Sequence, residues 1–307
     1  MAIREQAAGS EQLATPLSDP RDAVANQEAE AWRDVSVGAQ VLSYTMLVVM
    51  TALLMFPFVW MVSTALRPSG YDFDTSLIPR PHIAFENFGL AWNYPDTMFP
   101  QYTINSVIIA VVGTCLSVVL NTLSGFAFSK FSFRGRDVLF LLVIATMMIP
   151  FQVIMIPVYV TLATLGLVNT YWGVILPSTA SPFGIFLMRQ FIQSIPNELL
   201  DAARIDGTSE LGIFTWIVVP LAMPAISVFA ILHFVFLWND YLLPLLVMNR
   251  QEMYTLQLGI KGFMTEYQAK WNFLMAMTLV SLIPTVAVFL FFQKYFVRGI
   301  AMTGLKG

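Results

Sequence analysis

Charged residues are scarce in this 307-residue chain: Asp, Glu, Lys and Arg make up 11% of it, and hydrophobic residues 57%. Soluble domains have about 25% charged residues, so the composition excludes an ordinary soluble domain. The shortage is local, because charge-free runs occupy residues 35–66, 97–129, 138–188, 211–239 and 271–293. A helix that spans a bilayer needs roughly 20 apolar residues, and the run at 138–188 is long enough for two. The sequence therefore predicts an all-α integral membrane protein with six spanning helices.

Several other features are missing. The single cysteine, Cys115, excludes a disulfide framework, and its place in an apolar run predicts a small buried side chain. The net charge of −3 gives no basic surface for nucleic acid. The chain has no Walker A motif, no cluster of metal-ligand residues and no nucleophile–base constellation. We therefore expect no catalytic residue, no bound metal and no cofactor in this chain.

Six helices can be placed to within a few residues. They are predicted at residues 41–66, 104–128, 138–159, 171–190, 221–247 and 272–294. The third and fourth are separated by the turn-forming stretch 163–170, which contains Gly and Asn. Eight prolines lie in or beside the apolar runs, at positions 57, 150, 157, 177, 182, 224, 244 and 284. They are either ordinary membrane prolines or kinks that suit a bundle with an internal cavity.

The distribution of Lys and Arg indicates the orientation. Eleven of the sixteen lie in segments on the same side as the N-terminus, and three of these occupy the short loop 130–136. Short loops follow the positive-inside rule best, so both termini are predicted to be cytoplasmic. Residues 1–38 form a polar tail with too little apolar surface to fold alone, and residues 39–307 form the six-helix domain. The aromatic-rich segment 67–103 is predicted to pack on the outer face of the bundle.

The loop between the fourth and fifth helices predicts a short cytoplasmic helix. Ser194 is placed to cap its N-terminus, Pro196 suits the first turn, and Gly207 can end it in the left-handed conformation. Asp201 and Arg204 are three residues apart and can pair. Its less polar positions are Leu199, Leu200, Ala202, Ala203 and Ile205. A helix of this length is marginal alone, so it either docks into another protein or packs under its own bundle.

This loop resembles the EAA loop of ABC-importer permeases. The matching residues are Asp201-Ala202-Ala203, then Gly207, Ile217 and Pro220. Asp201 stands where the family usually has Glu and keeps the charge. The resemblance covers nearly all of residues 40–307. It includes Gly125-Phe126-Ala127-Phe128, Trp238-Asn239-Asp240 and the C-terminal run 293–307, and it is closest to the carbohydrate branch, which contains the maltose- and oligosaccharide-type permeases.

The resemblance implies a six-helix type I ABC importer permease in a bacterial inner membrane. Its implied partners are a second homologous permease subunit, two cytoplasmic ATPase subunits that bind ATP, an extracytoplasmic solute-binding protein and membrane lipid. The ATPase-coupling loop lies at about 191–220. The residues it implies for coupling are Glu198, Asp201, Ala202, Ala203, Arg204, Asp206, Gly207, Phe214, Ile217 and Pro220. The solute stays open among oligosaccharide, monosaccharide, polyol and glycerol-3-phosphate.

Polar side chains at membrane depth are candidates for the translocation path. They are Asn105, Gln152, Asn239 and Asp240. Asp240 has an alternative interpretation as an interfacial acid in an aromatic belt. His233, in an apolar helix, is expected to hydrogen-bond to a neighbour rather than to act as a gate or proton relay. A secondary transporter and a membrane enzyme are the rival classes, but the first needs ion-coupling carboxylates near the bilayer midplane and the second a catalytic constellation.

Overall fold

The computed structural model describes residues 37–70, 77–80, 82–264 and 270–303, with side chains as far as residue 292. The predicted polar tail is outside this range apart from residues 37 and 38. The α-helices in the described residues are α1 Val37–Ala65, α2 Glu86–Trp92, α3 Phe99–Lys130, α4 Arg136–Thr146, α5 Phe151–Thr164, α6 Tyr171–Thr179, α7 Pro182–Gln193, α8 Asn197–Ile205, α9 Glu210–Ile213, α10 Val219–Asn239, α11 Leu242–Val247, α12 Leu256–Lys261 and α13 Trp271–Thr303. A π-helical turn, Phe214–Val218, joins α9 to α10, and a 3₁₀ turn, Gln251–Met253, precedes α12.

The chain forms two compact units that divide within α1, between Val59 and Trp60. The described part of the first unit is the run 37–59 of this helix. Its side chains are almost all exposed and mostly apolar. Such a surface is unsuited to water but suits a helix surrounded by lipid, whose tails are as apolar as leucine.

The second unit is organised around α3, which packs against α6, α7 and α10, while α13 packs against α10 and α2. Close approach of α3 and α7 depends on Gly125, since a Cβ there would collide with Met188 and lie 2.8 Å from the backbone nitrogen of Arg189. Small residues serve this purpose between membrane helices. One apolar core surrounds Trp238 near the start of α3, and the other surrounds Met188 near its end. We call these two regions the α12 end and the α8 end.

Six membrane crossings are present only if two bent helix pairs each cross once. Among the described residues, four helical stretches are long and apolar enough to span a bilayer alone: Val37–Ala65, Phe99–Lys130, Glu210–Asn239 and Trp271–Phe292. The bent pairs are α4 with α5, at 102°, and α6 with α7, at 42°. The count of six agrees with the sequence prediction on this condition, and the first two helices lie within a few residues of their predicted bounds.

Four predicted helices need correction. The sixth begins at Trp271, beside its predicted start at 272, but continues to Thr303 instead of ending at 294. The third is not continuous over 138–159, because α4 ends at Thr146 and Pro150, with an extended ψ of 138° and no N–H to donate, precedes a new helix. The fourth is broken near Ala180, ahead of Pro182. The fifth does not reach residue 247, since Asp240 is extended, with ψ 128°, and ends α10. Two of the predicted helices, both within the run 138–188, are thus broken next to prolines rather than merely bent.

The break between α6 and α7 is stabilised from α3. The amide nitrogen of Asn121 donates to the carbonyl of Thr179 at 2.9 Å, and its oxygen accepts from the backbone N–H of Ser181 at 3.0 Å. The hydroxyl of Ser117 also donates to the carbonyl of Thr179, at 2.8 Å. Backbone groups at membrane depth must be satisfied within the protein, so the fully buried Asn121 allows the interruption.

The segment between α1 and α3 packs on the bundle at the α12 end, and that this end is the outer one stays a prediction. Tyr94 makes edge contacts with Phe263 and Phe273, at centroid distances of 5.6 and 5.8 Å. Phe99 stacks on Phe263 at 5.3 Å. Residues 71–76 and 81 of this segment lie outside the described residues, and aromatic contacts hold Tyr94 and Phe99 to the α12 end.

Candidate functional site: the α8 loop and a groove beside α10

The helix predicted in the coupling loop is α8, and its start differs from the prediction. Ser194 does not cap it; this residue ends α7, and its hydroxyl donates to the carbonyl of Phe191 at 2.7 Å. Pro196 is the residue that precedes the helix. The start is anchored instead by Lys130 at the end of α3, whose ammonium donates to the carbonyl of Ile195 and, at 2.9 Å, to the side chain of Asn197.

The end of α8 is a Schellman motif around Gly207. This residue has a φ of +80°, and its N–H donates to the carbonyl of Arg204 at 3.0 Å. The N–H of Thr208 reaches back to the carbonyl of Ala203 at 2.9 Å. These are the two bonds that define the motif. The prediction that Gly207 ends the helix in a left-handed conformation is confirmed.

Arg204 links α8 to α9. Its guanidinium bonds Glu210 through two nitrogens, Nε at 2.8 Å and Nη2 at 3.2 Å, and bonds Asp201 through Nη1 at 2.7 Å. The predicted pair of Asp201 and Arg204 is therefore confirmed. Glu210 is a partner that the sequence analysis missed, although it lies only six residues further along. The hydrogen bonds to Glu210, which have the largest effect, and to Asp201 raise the pKa of Arg204 above its ordinary value. Arg204 therefore stays charged.

α8 has two different faces. Leu200 and Ala203 are buried in the apolar core of the α8 end. One face of the helix therefore packs under its own bundle, which is one of the two alternatives that the sequence left open. Leu199 is exposed, and Ile205 is 87% exposed on the opposite side. Trp216, beyond the helix and within the apolar stretch Glu210–Asn239, is 81% exposed.

Of the remaining predicted coupling residues, some are buried in the bundle and others are exposed. Phe214 is buried, with its ring 5.6 Å from that of Phe126, and Ile217 packs beside the same core. Glu198, Ala202, Asp206 and Pro220 are exposed. Pro220 has no N–H with which to bond the carbonyl of Trp216, four residues earlier. The wider π-helical turn Phe214–Val218 accommodates this missing hydrogen bond.

The four predicted path residues do not form one group. Asn105 is fully buried at the α12 end. Its amide nitrogen donates to the carbonyls of Glu252 and Tyr254, at 2.8 and 2.9 Å. Its oxygen accepts from Gln101 at 2.9 Å and from the hydroxyl of Tyr171 at 2.8 Å. An amide side chain makes about four hydrogen bonds, so Asn105 holds helices together and has no capacity left for a solute.

Gln152 and Asp240 are brought together by a shared cavity of about 310 Å³, which we call the Gln152–Asp240 cavity. Phe151, Pro177, Ser178, Phe236, Leu242 and Leu243 complete its lining. Asn239 is not part of it; its amide nitrogen donates to the carbonyl of Val235 at 2.8 Å. Two of the four candidates therefore line a common space.

A second space, the His233 cavity, has a volume of about 380 Å³. It adjoins the first because Pro177, Ser178 and Phe236 line both. Its other lining residues are Ala180, Ser181, Pro182, Phe183, Phe229, Leu232 and His233. The sequence carries a signal for this cavity, because Phe229, His233 and Phe236 recur at spacings of four and three on α10 and therefore share one face.

The environment of His233 differs from the prediction. No residue in the described ranges offers a hydrogen bond to its buried Nε2. The ring instead stacks on Phe229, at 5.3 Å between centroids, and lies 5.9 Å from Phe236. Cys115 also differs, because its side chain is exposed on α3 rather than buried. In the part of the chain that the structure describes, no group of three or more His, Cys, Asp or Glu could hold a metal ion.

The fold and these sites define a helical membrane protein whose α8 is exposed along one face at one end of the bundle. Residues 117–302 match the family model of the binding-protein-dependent transport system inner membrane component. The chain belongs to this family, and is therefore a transport component rather than an enzyme.

Curated relatives cover most of the chain. The arabinooligosaccharides transport system permease protein AraQ of Halalkalibacterium halodurans is 36% identical over 82% of this chain and 91% of its own. The lactose transport system permease protein LacG of Rhizobium radiobacter is 33% identical over 84% of this chain and 94% of its own length. The sn-glycerol-3-phosphate transport system permease protein UgpE of Yersinia pestis is 34% identical over 86% of this chain and 96% of its own length.

Solved structures share the fold. A chain of a bacterial ABC transporter involved in the import of the acidic polysaccharide alginate superposes with a TM-score of 0.75 at 24% identity. The comparison covers 85% of this chain and 99% of that one. A chain of the alginate transporter in complex with an alginate pentasaccharide-bound periplasmic protein gives a TM-score of 0.60 at 16% identity.

Proposed function

We propose that this chain forms one half of the membrane pathway of an ABC importer for a carbohydrate-type solute. A second homologous permease forms the other half, and an extracytoplasmic binding protein delivers the solute. Two cytoplasmic ATPase subunits supply the energy, and ATP binds to them rather than to this chain. Relatives named for arabinooligosaccharides and lactose support a carbohydrate solute, and a relative named for sn-glycerol-3-phosphate keeps a related phosphate among the alternatives.

The observation that carries the coupling part of the proposal is the two-faced α8. Its inner face is anchored in the bundle by Leu200 and Ala203, and Ile205 projects from its outer side. The Schellman motif and the Arg204 cluster hold this surface rigid. A rigid, partly apolar surface at a membrane protein's end suits a groove in a partner. The ATPase subunit is the partner that the family resemblance implies for this loop.

The orientation follows from the same proposal. If the ATPase binds at the α8 end, that end is cytoplasmic, as the Lys and Arg distribution predicts. The α12 end, with Gln152 and Asp240, then lies on the outer side, where the binding protein delivers solute. Both termini are cytoplasmic on this assignment.

Reconstitution tests the function. The chain is co-expressed with its neighbouring permease, ATPase and binding protein, purified as a complex and placed in lipid vesicles. Arabinooligosaccharides, lactose and sn-glycerol-3-phosphate are each supplied with the binding protein. We expect stable co-purification of the ATPase and stimulation of ATP hydrolysis by at least one carbohydrate. An ATPase that does not co-purify, or hydrolysis that no carbohydrate stimulates, would overturn the proposal.

A further inference from the structure

We propose that the turn between α3 and α4 binds the headgroup phosphate of an anionic phospholipid. The turn borders a surface cavity of about 320 Å³, lined by Ser132, Phe133, Gly135, Arg136, Asp137 and Val138. This cavity shares no lining residue with the two cavities beside α10, and the proposed transport function does not use it. Its position, its charge and its unused hydrogen-bond donors each favour a lipid headgroup.

The turn joins two apolar helices at the α8 end. α3 ends at Lys130 and α4 begins at Arg136. Beyond the cavity, the side chains of α4 are exposed and apolar: Val138 is 63% exposed and Leu141 is 67% exposed. Such a surface suits acyl chains, which are as apolar as leucine. The cavity therefore adjoins both a polar turn and an acyl-chain surface, which are the two surfaces that a phospholipid needs.

The turn carries a net positive charge. Of residues 130–137, three are basic and one, Asp137, is acidic. The carboxylate of Asp137 lies 3.0 Å from the guanidinium of Arg136, and a second guanidinium, that of Arg189 on α7, lies 3.8 Å away. The single negative charge is therefore offset within the protein. Basic pockets between membrane helices attract anionic lipid headgroups, so the charge of this turn is complementary to such a lipid.

Three side chains of the turn keep hydrogen-bond donors for a phosphate. Arg134 and Ser132 are exposed, and neither side chain makes a hydrogen bond or ion pair with the residues that the structure describes. Arg136 uses Nε and Nη2 for Asp137, at 3.0 and 3.5 Å, and Nη1 for the carbonyl of Phe131 at 3.4 Å. Since a guanidinium has five N–H groups, two of those on Arg136 remain. Guanidinium groups bind phosphate through paired hydrogen bonds, so the turn has the donors for this ligand.

The ATPase subunit is the other candidate for this surface. Lys130, at the start of the turn, also holds the first residues of α8, which is the helix proposed to meet the ATPase. The exposed apolar side chains of α4 favour the lipid, because they need an acyl-chain environment and a soluble ATPase does not provide one. Binding of lipid to the chain in the absence of the ATPase separates the two candidates.

Lipid titration of the purified full-length chain tests the proposal, and it does not depend on the proposed transport function. The chain is delipidated in detergent and titrated with phosphatidylglycerol, and native mass spectrometry measures the bound fraction. Phosphatidylcholine with the same acyl chains is titrated in parallel, because it carries a phosphate without a net charge. We expect tighter binding of phosphatidylglycerol and no displacement of it by inorganic phosphate. Equal binding of the two lipids, or displacement by inorganic phosphate, overturns the proposal.

Two matched variants assign the binding to the turn. Arg134→Gln removes an exposed cation that has no partner among the described residues, so the fold should be unaffected. Arg250→Gln is the control, since it removes a cation at the α12 end that is paired only loosely with Glu252, at 3.7 Å. We expect Arg134→Gln to weaken phosphatidylglycerol binding about fivefold and Arg250→Gln to leave it unchanged.

Equal phosphatidylglycerol binding by the two variants overturns the proposal. If Arg134→Gln binds the lipid as the unaltered chain does but no longer retains the ATPase during purification, the turn contacts the ATPase, and the lipid assignment is wrong. An importer that no carbohydrate stimulates would overturn the proposed function and leave the lipid site standing, because the titration measures binding to this chain alone.

Discussion

The carboxylate of Glu210 accepts two hydrogen bonds from the guanidinium of Arg204, across the turn that separates α8 from α9. The two-bond geometry fixes both distance and direction, which a single contact would not. The direction in which α8 presents its outer face is thus set relative to the start of α10. On the proposed coupling role, docking of the ATPase depends on that direction being held.

The first prediction concerns this pair. Glu210→Gln removes the charge and keeps the size, so we expect weaker retention of the ATPase subunit during purification. The loss of permease stability should be small, about 0.2–1 kcal/mol, because both side chains are partly exposed. Glu252→Gln, which breaks a looser pair with Arg250 at the α12 end, is the control. Normal ATPase retention in Glu210→Gln would show that the pair does not position the loop.

The second prediction concerns Gly207. A Cβ added here would have no atom within 4 Å in this chain, so the penalty comes from the left-handed backbone. It amounts to about 1–2 kcal/mol for ordinary residues. Gly207→Val should fray the end of α8 and lower solute-stimulated ATP hydrolysis, whereas Gly207→Asn should be tolerated, because Asn adopts this conformation more readily. Faster amide hydrogen exchange in α8 of the Val variant is the measurement, and equal exchange in both variants would contradict it.

The third prediction separates the two faces of α8. Ala203→Glu places a charge in the bundle's own core, so it should lower the thermal stability of the purified permease itself. Ile205→Glu changes a side chain that is already exposed, so it should leave the melting temperature unchanged and reduce ATPase retention. Melting curves of the permease and co-purification with the ATPase give both readouts. The opposite pattern would place the partner on the Ala203 side.

The fourth prediction concerns Asn121. Asn121→Leu leaves the N–H of Ser181 without the partner it has now, which costs about 1–3 kcal/mol for each buried group orphaned. The thermal stability of the permease in detergent should fall accordingly. Ser124→Ala is the control, because that hydroxyl bonds only its own helix, at the carbonyl of Leu120. Equal melting temperatures for the two variants would mean that the broken helix is satisfied in another way.

The fifth prediction concerns sidedness. In a Cys115→Ala background, an impermeant thiol reagent applied from outside should label Arg250→Cys at the α12 end. It should not label Ser132→Cys in the short loop after α3, which becomes reactive only when the membrane is permeabilised. Labelling in the reverse order would invert the membrane orientation and separate the α8 end from the cytoplasm.

Much of the fold could be predicted because a long run without charged residues is a strong signal for a membrane helix. The bend angles between helices within such a run could not be predicted. Pro150 and Pro182 indicate where a helix can break, but the angles of 102° and 42° depend on packing. For the second break, the compensating residue is Asn121, about sixty positions earlier, and no local pattern connects the two.

The candidate site was predictable to a similar extent. Gly207 and the Asp201–Arg204 pair follow from local rules, and both are confirmed. Asn105 was chosen as a path residue because it is polar at membrane depth, and that criterion does not separate a solute ligand from a structural hydrogen-bonding side chain. Its partners lie near residues 252–254 and at Tyr171, so only the three-dimensional fold could assign its role.

Lys130 gives the α8 loop a mechanical property. The ammonium at the end of α3 holds the first residues of α8, while Arg204 holds its last turn to α9 and so to α10. The helix is thus braced at both ends by different membrane helices, with no slack segment in between. A force applied to its outer face would therefore act on α3 and α10 together rather than on either helix alone.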